Sequence, residues 1–169
     1  PYIRVSDFNE NGTIDLTDIH YINNDVYETI KNYTISSNDL YISIAGTIGK
    51  TGIIPKELDG ANLTENACKL VFNSGIDPRY ILYFTKTGMF RIQAGLNTRK
   101  AAMPKLALTR LSTIRISIPN SILKQREIVQ QIKIFSDEIE KCKRKVELKI
   151  QLIDELKKSI LQKAFNGEL

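Results

Sequence analysis

Between Leu123 and Asn166 the chain contains neither proline nor glycine, and its apolar residues keep a regular beat. Ile128, Ile132, Phe135, Ile139, Cys142 and Val146 follow one another at spacings of 4, 3, 4, 3 and 4. Residues three and four apart share one face of an α-helix, so this is a heptad seam. It continues through Ile150, Ile153, Leu156 and Ile160, but the eleven residues from Ile139 to Ile150 are not a multiple of seven. Such a stutter locally relaxes a left-handed supercoil. At ~1.5 Å per residue the helix is about 65 Å long. One small domain cannot bury a stripe of that length, so the seam predicts a second long helix packed against it. Asn166-Gly167 supplies the stop.

Upstream the periodicity is different. "YIRV", "LYISIA", "TGIIP", "CKLVF" and "TIRISIP" are short β-rich runs bounded by Gly, Pro, Asn or Asp. In the last of them Ile114, Ile116 and Ile118 alternate with Arg115 and Ser117, the pattern of a half-buried strand. One helix is expected between these runs. Asp77 can cap it, Pro78 suits its first position, and Ile81, Phe84, Thr85, Gly88 and Ile92 fall on one side. The fold class is therefore α+β: a mixed domain over 1–120, followed by a long C-terminal coiled-coil helix over 121–169. The start at Pro1, directly in a strand-like run, points to a domain truncated at its N-terminus.

Charge divides the chain further. Residues 1–78 hold five basic and eleven acidic side chains. Residues 79–115 hold eight basic residues and no acidic one: Arg79, Lys86, Arg91, Arg99, Lys100, Lys105, Arg110 and Arg115. A block of that kind calls for a polyanion or for acidic neighbours in the fold, and nucleic acid is the leading polyanion.

Catalytic motifs are scarce. "ISIAGTIGKTGIIP" contains Gly49-Lys50-Thr51, the end of a Walker A loop, but Ile44 stands where the first glycine is required. The stretch reads as two strands, Leu40–Ala45 and Gly52–Ile54, joined by a glycine-rich turn, with no helix to face a phosphate. Glu147-Leu148-Lys149 and Asp154-Glu155-Leu156-Lys157 spell a nuclease-like Glu-x-Lys on a charged helix, where these are ordinary surface residues. Cys68 and Cys142 lack partners at metal-ligand spacing, and His20 is the only histidine. The expectation is a chain without metal or catalytic centre, in a reduced cytoplasmic setting, with no membrane span.

Four stretches, in order, resemble the specificity subunits of type I restriction-modification enzymes. "PYIRVSDFNENGTIDLTDIHYI" is similar to the opening strand and turn of that family. "ISIAGTIGKTGIIP" with "NLTENACKLVF" resembles the glycine hairpin and Asn-rich strand of its target-recognition domains. "ISIPNSILKQREIVQQI" resembles the junction into the long helix, commonly Pro-Leu-Pro-Pro followed by Glu-Gln, with Asn120 and Ser121 replacing two of those letters and Lys124-Gln125 standing where Glu-Gln is usual. "LKKSILQKAFNGEL" is similar to the helix end.

The resemblance implies a non-catalytic, sequence-specific DNA-binding subunit, or half of one, that directs methyltransferase and restriction subunits to a bipartite site. S-adenosylmethionine, ATP and Mg would then belong to partner subunits. Double-stranded DNA would meet Arg91, Gln93, Asn97, Thr98, Arg99, Lys100 and Lys105, with Lys50 beside them. Arg, Gln and Asn are the residue types that form bidentate bonds with guanine and adenine. In that family the long helix pairs with another running antiparallel, so the seam here would form an antiparallel coiled coil with a second copy to make a homodimer. The helix ends near Gln125 and Ala164-Phe165 would remain for the methyltransferase. The alternative is a coiled-coil adaptor whose globular head binds protein; an enzyme ranks below both.

Overall fold

The computed structural model describes residues 1–96 and 106–168. The chain divides into two compact units, Pro1–Arg126 and Glu127–Leu169. The first is mixed α/β, and the second is helical.

Two small sheets build the first unit. In one, β1 (Tyr2–Ile3) pairs parallel with β5 (Ala61–Leu63), whose other edge takes β2 (Thr34–Ile35) antiparallel. In the other, β3 (Leu40–Ser43) lies between β4 (Thr51–Ile53) and β6 (Ala67–Leu70), antiparallel to both. All four residues of β3 are buried. Successive side chains of a strand point to opposite faces, and both faces of β3 are covered. Tyr41 joins a core with Ile3, Phe8, Ile35 and Leu63, while Ile42 belongs to a second with Ile44, Phe90, Ala94 and Leu106. This double burial is why "LYISIA" reads as a nearly continuous apolar run.

The expected single helix after Asp77 is two helices. Asp77 accepts a hydrogen bond from the Arg79 N–H and starts α2, Pro78–Thr85; Thr87 accepts from Phe90 N–H and starts α3, Gly88–Gln93. The Lys86 and Thr87 N–H groups bond back to Tyr83 and Phe84, closing the first helix before the second begins. The break turns Phe90 into the core and leaves Ile92 exposed. The helix α1, Asn24–Ile30, is capped by Asn23 and was not foreshadowed by an apolar stripe; none of its residues is buried.

"TIRISIP" is not a strand: Ile114 to Pro119 has no regular secondary structure and joins no ladder among the described residues. Side chains replace the missing neighbour. Gln93 donates to the Arg115 carbonyl at 2.9 Å and accepts from its N–H at 2.8 Å, and the Tyr80 hydroxyl donates to Ser117 O at 3.0 Å. The alternation survives, with Ile114, Ile116 and Ile118 half-buried and Arg115 and Ser117 exposed. Between α3 and this stretch lies the short helix α4, Leu108–Leu111.

The helix α5 runs from Ile122 to Phe165, 44 residues. Its first turn belongs to the globular unit and is held there by Gln125, which is 1% exposed. The Gln125 amide donates to Gly75 O and Pro119 O, both at 2.9 Å, and its oxygen accepts from Asp77 N–H at 2.8 Å. Gln125 itself is thus taken up by the fold of the globular unit. Arg79 makes two bonds to the Asp77 carboxylate, at 2.6 and 3.0 Å, and Arg126 Nε stands 3.7 Å away.

The Arg79 hydrogen bonds hold the Asp77 carboxyl below its ordinary value of 3.8, against the opposing effect of burial. A carboxylate depressed on folding stabilises the fold above its ordinary pKa and loses that contribution as pH falls through the folded value. Asp77→Asn keeps a capping oxygen but loses the charge. The substitution is expected to lower stability at neutral pH, with the gap from wild type closing as pH drops below the carboxylate range. Urea denaturation across that range measures it.

Candidate nucleic-acid interface

The hairpin between β3 and β4 turns through Gly46 and Gly49, with φ of 69° and 88°. Lys50 is clipped in by its backbone: its N–H donates to Ser43 Oγ at 2.8 Å, and its carbonyl accepts from Ser43 N–H at 2.9 Å. A strand, not a helix, follows Lys50. The turn therefore lacks the helix N-terminus that a phosphate-wrapping loop requires.

A second turn sits against this hairpin. Asn9 closes it, donating from its side-chain amide to Thr13 Oγ1 at 2.6 Å and accepting from Thr13 N–H at 3.0 Å. Gly12 occupies the left-handed region at φ 82°, and its carbonyl accepts from Ile53 N–H at 3.0 Å. The Tyr41 hydroxyl donates to Thr13 O at 2.9 Å, and the Tyr41 ring stacks on Phe8 at a centroid distance of 4.0 Å. The approach to β4 is possible only because residue 52 is glycine. A Cβ there would collide with Gly12 O and the Tyr41 hydroxyl.

These contacts gather charge at one edge of the globular unit. Lys50 Nζ donates to Phe8 O at 3.0 Å and pairs with Glu10 Oε1 at 3.1 Å. Lys86, between α2 and α3, donates from Nζ to Thr51 O at 3.3 Å, while Thr51 and Thr85 share a buried hydroxyl bond of 2.7 Å. Burial lowers the Lys86 amine, with the Glu10 charge pulling it back up.

The hairpin also reaches α3. Leu96 packs with Ile48 around the second core, and its side chain lies over Gly49. The hairpin that carries Lys50 thus packs against Leu96, three residues beyond α3. Arg91 is exposed in the last turn of α3. Gln93 is half-buried and its amide is engaged with Arg115, so a base contact there requires that pair to open. Asn97, Thr98, Arg99, Lys100 and Lys105 lie outside the described residues.

Within the basic block, Arg79 is matched by the buried Asp77 carboxylate, and Arg110 Nε donates to Gln93 O at 3.2 Å. Arg115 is exposed. Sequence reading did not select Lys86 or Glu10 for this edge. Lys86 carried a signal, as a member of the basic block. Glu10 carried none, because its position depends on a turn brought to β4 by tertiary contacts.

In the helical unit, the seam residues Phe135, Ile139, Val146, Ile150, Ile153, Leu156 and Ile160 are between 47% and 67% exposed, and Cys142 is exposed as well. Ile128 and Ile132 are half-buried. Among the described residues no cluster of potential metal ligands occurs, and no helix is long and apolar enough to cross a membrane.

Residues 1–150 match the type I restriction modification DNA specificity domain, and the chain belongs to that family. It is 28% identical over 171 residues to the type I restriction enzyme EcoBI specificity subunit of Escherichia coli, an alignment covering 99% of this chain and 35% of that protein. The chain thus spans about a third of the length of this relative.

Solved structures show the same fold. The HsdS subunit from Thermoanaerobacter tengcongensis superimposes with a TM-score of 0.64 at 14% identity, over 85% of this chain and 37% of that one. A chain from a study of complex assembly and conformational transition of the type I R-M system gives 0.66 at 18% identity, over 100% of this chain and 39% of that one.

The close approach at Gly52 yields a direct test. Gly52→Ala is expected to cost about 1–3 kcal/mol in urea denaturation, the usual penalty for overpacking. It should also displace the Asn9–Thr13 turn, seen as chemical-shift changes centred on Gly12 and Tyr41.

Proposed function

We propose that this chain is a DNA-reading half of a type I restriction-modification specificity subunit, without chemistry of its own. The observation that carries the reading is the family match over 1–150, which spans the globular unit and enters the long helix. The lysine-bearing hairpin packed beside the end of α3 supports it, as does the basic block. Lys50, Lys100 and Lys105 would contact phosphates; Arg91, Gln93, Asn97, Thr98 and Arg99 are the candidates for base edges. Methyl transfer and ATP-driven steps, with S-adenosylmethionine, ATP and Mg, would lie in methyltransferase and restriction subunits recruited to the site.

Arg99 and Lys100 test the DNA face. Alanine at both is expected to weaken duplex binding and to flatten the dependence of log affinity on log salt by up to about two units. Fluorescence anisotropy across a salt series reads both quantities, with circular dichroism confirming the fold. Wild-type affinity in the double variant would remove this segment from the interface. Salt-independent binding to protein, with none to DNA, would instead favour an adaptor.

The second half of the proposal concerns the stripe on α5. Burying each large apolar side chain is worth roughly 1.5–3 kcal/mol, so a row of them exposed along one helix favours a partner helix. A second copy running antiparallel supplies a complementary stripe and places a two-fold axis across the seam. Two recognition domains related by that axis would read an inverted repeat with a central gap. Phe165, 89% exposed at the helix end, is left for a methyltransferase. Aspartate at Ile139 and Val146 is expected to convert a dimer to monomer and to abolish preference for a two-part site. Sedimentation of the unmodified chain as a monomer at micromolar concentration would refute self-pairing.

A further inference from the structure

The turn that carries Glu10 is built to hold its backbone still and leave its side chain exposed. Asn9 and Thr13 lock the turn from within, Gly12 O is bonded to Ile53 N–H, and the missing side chain of Gly52 lets the turn lie on β4. The Glu10 side chain is nevertheless 86% exposed, against 24% for its partner Lys50. The ammonium of Lys50 is anchored on Phe8 O at 3.0 Å, so the lysine is fixed and the carboxylate is the movable member of the pair. Lys86, seated on Thr51 O, faces the same carboxylate charge.

A carboxylate pairing with a lysine and a phosphate diester doing so use the same chemistry, an oxyanion accepting charge-assisted hydrogen bonds. An exposed ion pair is worth only ~0–1 kcal/mol, so an incoming phosphate can displace it. We propose that Glu10 is an internal counter-ion that occupies Lys50 in the free protein and is displaced by a DNA backbone phosphate. Its displacement cost and its residual repulsion of the polyanion then set the apparent affinity and part of the salt response. This rests on the reading that Lys50 faces DNA, and the test separates the two.

The probe is a fluorescein-labelled random-sequence duplex, titrated by anisotropy between about 50 and 200 mM salt, where phosphate contacts dominate. The proteins are wild type, Glu10→Gln, Lys50→Gln, the double variant, and Glu57→Gln as a control for net charge on another exposed residue. Glu10→Gln is expected to tighten binding about two- to fivefold, the range open to an exposed pair. The salt dependence should steepen by up to about one unit. Lys50→Gln should weaken binding, and adding Glu10→Gln to it should recover little.

If Lys50→Gln binds like wild type, Lys50 is outside the interface and the underlying reading of that residue fails. If Lys50→Gln weakens binding but Glu10→Gln leaves it unchanged or weaker, the counter-ion role alone is overturned. An equal gain from Glu57→Gln, or an undiminished gain in the Lys50→Gln background, also overturns it, because bulk charge would then suffice.

Discussion

Gln125 makes three hydrogen bonds with two separate parts of the globular unit: Gly75 and Asp77 in the approach to α2, and Pro119 just before α5. The amide has its own polar atoms paired with two carbonyls and one N–H, and removing it would leave the buried Asp77 N–H without this partner. A buried polar group without a partner costs about 1–3 kcal/mol, so this one side chain carries more than its area suggests. Because the same Asp77 caps α2 and receives Arg79, the residues that begin two helices share one polar cluster. The position of α2, and of the hydroxyl and ammonium groups that α2 and Lys86 offer to β4, follows from that cluster.

Strand β3 performs the complementary task with apolar contacts. With Tyr41 on one face and Ile42 on the other, it belongs to two cores at once. The turn of residues 9–13 is tied to the first core through Phe8 and Tyr41, and α3 to the second through Phe90 and Ala94. Elements far apart in sequence therefore meet around one hairpin. The charged edge of the domain is a product of this convergence and not of any local motif.

The helical unit obeys a simpler rule. Its stripe is set by spacing alone, and its exposed members are chemically suited to another stripe of the same kind. Lys141 with Glu138 and Lys143 with Glu140 form surface pairs at 2.8 and 2.7 Å, which add solubility more than stability. The apolar residues, not the ion pairs, hold the free energy available for association.

Much of this was legible in the chain itself. The 3.6-residue geometry of a helix made α5 readable from Ile128 to Ile160, since period and length are local properties. The cap at Asp77 and the glycine turn between β3 and β4 were legible for the same reason. Other features were decided by tertiary structure. "TIRISIP" has the alternation of a strand, yet Gln93 and Tyr80 take the place of a neighbouring strand, which no local pattern encodes. The helix after Asp77 broke at Thr87 because a new cap and the burial of Phe90 outweighed a continuous stripe ending in Ile92. Gln125 could be noticed at the junction, but its burial depends on carbonyls 50 and 6 residues away. Lys50 could be singled out as a cation, but its pairing with Glu10 exists only because Gly52 lets a distant turn rest on β4. Sequence alone determined the periodic and short-range features, whose energetics are local. Long-range approach of backbones and charges was left to the packed fold, where the loss of a single Cβ decides which groups meet.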